Sequence, residues 1–138
     1  MIALNKEKFS IEREQDVVMF RNRVKEHAVK IKMGLVNQTK LLTAASELVR
    51  NMLRYAQKGE VIIETVAEGR NNGVRLCFID KGPGIADIAK AMQDGYTTSV
   101  TKSLGLGLPG TKRLVNIFDL KSEVGKGTTV TITKWANG

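Results

Sequence analysis

The chain is 138 residues long and carries 22 Lys and Arg against 14 Asp and Glu, a formal charge of +8. That length suits one domain, residues 1–138, with a core of its own. No apolar run is long enough for a bilayer, the first residues lack a signal peptide's apolar stretch, and a lone cysteine, Cys77, excludes a disulfide framework, so a soluble cytoplasmic protein with no membrane role is expected. The basic residues are spread along the chain and not interleaved with its few aromatics. They suit an anionic ligand and an acidic protein partner rather than a nucleic acid.

In chain order, residues 1–11 read as an edge strand carrying Ile2, Leu4, Phe9 and Ile11. From Glu14 to Lys32 the apolar residues Val17, Phe20, Val24, Ala28 and Ile31 recur at helical spacing, with Gly34 as a stop. Asn37 is placed to cap a second helix running to about Ala56, with Leu41, Leu42, Ala45, Leu48, Val49 and Met52 on one face. The period then changes to two. Val61, Ile63 and Thr65 alternate, Asn72-Gly73 reads as a hairpin turn, and Val74, Leu76 and Phe78 alternate up to Asp80.

A Gly- and Thr-rich stretch follows, with a short helical piece near Ile88 to Gln93, a third helix over Pro109 to Phe118, and a last hairpin turning at Gly125-Lys-Gly127 between Leu120–Val124 and Thr128–Lys134. Hairpins segregated from helices predict an α+β fold. Its form is a two-layer α/β sandwich, with a mostly antiparallel sheet covered by helices on one face.

Three stretches carry chemistry. Glu47 and Asn51 lie four apart on the second helix and fall with Arg54 on the side away from Leu41, Ala45 and Met52. Such a face is ordinarily just solvated, yet asparagine is a poor mid-helix choice. An amide oxygen suits a hard cation such as Mg²⁺, and a carboxylate one turn away can take a proton from a hydroxyl. Asp80-x-Gly82-x-Gly84 ends an apolar strand with an acid able to accept from an exocyclic amine of adenine. Its glycines either admit a flat base or simply make a turn with Pro83.

Gly105-Leu106-Gly107-Leu108-Pro109-Gly110 is a glycine loop entering a helix, an arrangement that offers backbone N–H groups to phosphates. It has neither the Lys-Ser/Thr of a P-loop nor a βαβ setting. The polar stretch Asp94 to Ser103 before it suits a mobile flap, from which Lys102 can reach a terminal phosphate. His27 stands on a helix with no acid or cysteine pattern around it and reads as a surface or boundary residue. Cys77 reads as a small buried residue on an unassigned face.

In that order, Glu47…Asn51, Asp80-x-Gly82-x-Gly84 and Gly105-x-Gly107…Gly110 resemble the N, G1 and G2 boxes of the GHKL superfamily: gyrase, heat-shock chaperone, histidine kinase and mismatch-repair ATPases. The resemblance implies the Bergerat ATP-binding fold. It implies Mg²⁺ on Asn51, the adenine amine on Asp80, base and ribose along Gly82 and Gly84, and phosphates along Gly105 to Gly110. Thr128 would support Asp80, with Thr129 its rival. Ser46-Glu-Leu-Val-Arg-Asn51, Asp94-Gly95-Tyr96, Lys112-Arg113-Leu114 and Lys134-Trp135 are similar to the serine/threonine switch kinases of the bacterial stressosome. The basic insert Ser99-Val-Thr-Lys102-Ser103 departs from their pattern. That family implies phosphorylation of STAS-domain proteins with Glu47 as base, followed by release to activate a PP2C-type phosphatase. An anti-sigma binding module that uses the same ATP site is the alternative.

Overall fold

A computed structural model describes residues 1–85, Met92 and 107–137. The elements run β1 (Ile2–Ile11), α1 (Glu14–Lys30), α2 (Leu35–Ala56), β2 (Gly59–Glu68), β3 (Asn71–Asp80), α3 (Gly107–Arg113), β4 (Ile117–Glu123) and β5 (Gly127–Trp135). The five strands form one antiparallel sheet in the order β1-β2-β3-β5-β4. The helices pack on one face of it, as the alternation of apolar residues requires. The Ile88–Gln93 helical piece falls largely outside the described residues.

α1 starts where the Asp16 carboxylate accepts from the backbone N–H groups of Glu12 (2.9 Å) and Arg13 (3.0 Å), which satisfies donors a helix start leaves open. It buries Val17, Phe20, Val24 and Ala28 as expected. Its end is set by Lys32 in the left-handed region (φ 61°), not by Gly34. Gly34 instead is the N-cap of α2, so Asn37 lies inside the helix and does not cap it. Asn37 Nδ2 donates to the Ala136 carbonyl (3.4 Å), a contact between distant parts of the chain.

α2 buries Leu41, Ala44, Ala45, Leu48, Val49 and Met52 against the sheet and ends at Gln57, also left-handed (φ 68°). The inner sheet face supplies Val61, Ile63, Leu76, Phe78, Val130 and Ile132 to the same core. Phe20 meets Phe78 edge-on, with ring centroids 5.8 Å apart, and so ties α1 to the centre of the sheet.

Two further expectations are corrected. The β2–β3 hairpin turns at Gly69 and Arg70, since Glu68 pairs with Asn71, and Gly69 takes the positive φ (60°). Asn72 and Gly73 lie within β3, where a Cβ at Gly73 would stand 2.7 Å from Cε3 of Trp135. That glycine makes room for an indole, not for a turn. The third helix ends at Arg113 and not at Phe118. Ile117 onward pairs with β5, Phe118 opposite Ile132, because strand pairing and burial outweigh the helical spacing.

His27 is buried, not superficial. Its Nε2 is 2.6 Å from Glu7 Oε1 and its Nδ1 is 3.2 Å from Thr65 Oγ1, which joins α1 to β1 and β2. Arg23 pairs with the same Glu7. Cys77 is half-buried on the sheet face away from the helices, with Thr131 Oγ1 donating to its sulfur at 3.5 Å.

Candidate functional site

The C-terminal half of α2 and the ends of β3 and β5 bound a cleft with an apolar floor and few polar groups. Leu48, Met52, Phe78, Leu108, Leu120 and Val130 supply the floor; Asn51, Tyr55, Asp80 and Thr128 bring polar atoms to it. Such a mixture fits a flat, largely apolar ligand body fixed by a few directional contacts. α2 presents Leu48, Asn51, Met52 and Tyr55 together because residues three and four apart share a helix side.

Asp80 is the last residue of β3 and stands directly opposite Thr128 of β5. Burial pushes its carboxyl above the usual range. The backbone N–H groups of Gly82, at 2.9 Å from Oδ1, and of Thr128 pull it back. Thr128 Oγ1 is 2.8 Å from Ser122 Oγ, which in turn accepts from the Ile85 N–H at 2.7 Å. One hydroxyl of β4 thus pins both Thr128 and the loop that closes the pocket. Thr129, the rival, pairs with Ile79 and does not line the cleft.

The glycines after Asp80 have distinct tasks. A Cβ at Gly82 would stand 2.8 Å from the Ala56 Cβ, so glycine lets the turn tuck under the end of α2. Gly84 has φ 78°, and a Cβ there would collide with the Glu123 carbonyl. The turn is held to the β4–β5 connection by the Gly125 N–H donating to the Pro83 carbonyl (3.0 Å).

Asn51 is half-buried, and its Oδ1 is buried with no hydrogen-bond partner among the described residues. Helix wheel spacing alone would have left this side to water; here it faces the cleft. A buried, unpaired amide oxygen costs stability unless a ligand uses it. Among the described residues no three His, Cys, Asp or Glu side chains converge on a metal position. A cation at Asn51 would therefore lean on oxygens brought by the ligand itself, as Mg²⁺ does on phosphates. Glu47 lies one turn away, half-buried, outside the cleft lining; burial pushes its carboxyl up and Arg50 opposes the shift.

Of the glycine loop, Gly107 opens α3, Leu108 is buried on the cleft floor, and Gly110 lies within α3. Lys102, Gly105 and Leu106 fall outside the described residues, as does the flap from Asp94 to Ser103. The pocket thus brings together Asn51, Asp80, Gly84, Leu108 and Thr128, while Gly82 and Glu47 stand outside its lining. Tyr55, Phe78 and Ser122 are not among the site residues expected from sequence. The β4 alternation of Phe118, Leu120 and Ser122 was the signal available for the last.

Comparison with known proteins places these features in a wider set. Residues 36–137 match the family model described as histidine kinase-, DNA gyrase B-, and HSP90-like ATPase. The chain is 44% identical over 122 residues to the serine/threonine-protein kinase RsbT of Bacillus subtilis, covering 88% of this chain and 90% of that one. It is 35% identical over 95 residues to the anti-sigma F factor of Caldanaerobacter subterraneus, covering 67% and 66%. The crystal structure of the RsbU and RsbW domains of a Mycobacterium tuberculosis protein superposes with a TM-score of 0.63 at 20% identity, over 94% of this chain and 31% of that one. At that identity the likeness is one of fold.

Proposed function

This chain belongs to the histidine kinase-, DNA gyrase B- and HSP90-like ATPase family, and on that premise we propose that its cleft binds ATP with Mg²⁺ and that it is a protein kinase acting on a serine or threonine of a STAS-domain regulatory protein. The observation that carries this reading is the pair of Asn51 and Asp80 in one cleft: a buried amide oxygen without a partner, and a carboxylate held at a strand end by two backbone N–H groups.

The residues fit the roles. Asp80 accepts from the adenine amine, while Phe78, Leu108 and Val130 take the apolar base. Asn51 Oδ1 would hold Mg²⁺, which would supply positive charge to offset that of the phosphates. Gly105 to Gly110, with Lys102, is the phosphate loop on the strength of its sequence. Glu47 is the base: its half-buried carboxyl, raised by desolvation, takes the proton of the attacking hydroxyl. Positioning and charge supply most of the remaining barrier reduction.

The proposed physiology is partner switching in the cytoplasm, in which the chain phosphorylates its STAS partner, leaves it and activates a PP2C-type phosphatase. A second reading is favoured by the 35% identity to anti-sigma F factors: a module that occupies its target whether or not it phosphorylates it. Incubation with γ-labelled ATP, Mg²⁺ and STAS-domain proteins encoded nearby separates the two. Label on a STAS serine or threonine supports the kinase; tight ATP-dependent binding without label supports the module.

A further inference from the structure

Along β5, Val130, Ile132 and Ala136 turn to the helix side and are buried, and Lys134 stands among them on that same side with 5% of its surface exposed. Its neighbour across the ladder is Val74, itself fully buried. The first turn of α2 packs on this end of the strand through the contact of Asn37 with Ala136. Lys40 follows Asn37 by one turn. Burial, and after it the charge of Lys40, hold Lys134 below the usual lysine range.

Two other sets of half-buried charges here have partners. Arg75 forks onto Glu64 at 3.1 Å through both Nε and a terminal nitrogen, and Glu7 takes Arg23 and His27. Among the described residues no carboxylate forms an ion pair with Lys40 or Lys134. A cation buried beside a second cation is costly, and an anion bridging both removes the cost.

The position tells which anion. At 100° per residue Lys40 lies about 20° from each of Glu47 and Asn51 around α2, the latter two about 40° apart, and the three follow along the axis in the order pair, base, cleft. Lys40 is seven residues from Glu47, roughly 10 Å along the axis. An extended polypeptide covers that distance in about three residues. Along β5, Lys134 lies six residues beyond Thr128, roughly 20 Å from the base end of the cleft.

We propose that Lys134 and Lys40 form a subsite for an Asp or Glu carboxylate of the docked protein substrate, about three residues from the hydroxyl delivered to Glu47. This role rests on the kinase reading given above. A bidentate bridge between a buried and an exposed lysine gives the subsite specificity for substrate over nucleotide, because the triphosphate belongs to the far side of Glu47.

The test reads binding and turnover separately. In chain labelled with ¹³C,¹⁵N-lysine, the side-chain signals of Lys40 and Lys134, assigned with Lys40→Gln and Lys134→Met, are followed while octaglutamate is added. Both signals are expected to move together and saturate, more weakly as NaCl rises, and Lys134→Met should cut the apparent affinity seen at Lys40 about tenfold. Lys134→Met replaces a buried cation by an apolar chain of similar length and is expected to fold; Lys40→Gln, at an exposed position, gives the same reading if it does not. An unmoved Lys134, or movement with inorganic triphosphate and not with octaglutamate, overturns the proposal. With a labelled STAS substrate, either variant should raise KM about tenfold at constant kcat, and an unchanged KM overturns it too. If wild type transfers no label, the kinase reading fails while the octaglutamate titration still decides the subsite.

Discussion

Asp80 and Thr128 face each other across the β3–β5 ladder, and the Thr128 backbone N–H joins that of Gly82 in stabilising the Asp80 carboxylate in a half-buried place. The carboxylate is therefore kept as an acceptor where desolvation would favour its protonation. Guanine offers O6 where adenine offers an amine, and two acceptors facing each other in a partly buried site cost about 1–3 kcal/mol. ATP–Mg²⁺ should raise the melting temperature markedly and GTP–Mg²⁺ far less. Equal stabilisation by both would remove the adenine role from Asp80.

Removing that charge has an opposite effect on the empty protein. Since the folded state raises the Asp80 pKa, the ionised form costs stability at neutral pH, and the cost fades as the group protonates on acidification. Asp80→Asn should melt higher than wild type at pH 7 without nucleotide, and the gap should close as pH is lowered through the carboxylate range. Thermal melts across pH check the sign, and ATP titration of the same variant should show the lost affinity.

Asn51→Ala should lose Mg²⁺-dependent nucleotide binding without loss of fold. The Asn51 oxygen makes no hydrogen bond, so truncation breaks none, and alanine is the better helix former. A melting temperature equal to or above wild type, with no shift on adding ATP–Mg²⁺, is expected. A sharply lower melt with normal nucleotide binding would make Asn51 structural.

Gly84→Ala should destabilise by about 2 kcal/mol or more, since a Cβ at positive φ is strained and this one would also meet the Glu123 carbonyl. Gly125 has the same sign of φ with nothing near its missing Cβ, so Gly125→Ala should cost less. Urea unfolding midpoints of the two variants test the difference. A milder effect at Gly84 than at Gly125 would contradict the packing of this turn.

Much of this was readable from the chain, and the failures share one cause. α1 and α2 showed through because their buried residues recur at helical spacing and their partners lie along one stripe. Asp80, Asn51 and Thr128, picked out by motif order, line one cleft in the fold. What failed depended on residues far apart in sequence. Gly73 looked like a turn glycine because the indole it accommodates, Trp135, lies on another strand. Phe118 looked helical because β5, which recruits it, comes later in the chain. His27 looked solitary because Glu7 and Thr65 reach it from two strands. Ser122 escaped notice because only the β3-β5-β4 order brings it to Thr128.

Phosphoryl transfer through Glu47 is the central claim, and a single comparison tests it most directly. Wild type and Glu47→Gln are incubated with γ-labelled ATP, Mg²⁺ and the STAS-domain partner, with nucleotide and partner affinities measured alongside. Glutamine keeps the volume and one acceptor oxygen but cannot take a proton, and general-base catalysis is worth about 10²–10⁴-fold. The expected result is label on a STAS serine or threonine with wild type, and a rate lower by that factor in Glu47→Gln at unchanged affinities. Tight binding by wild type with no label, or labelling at the same rate in Glu47→Gln, would contradict it.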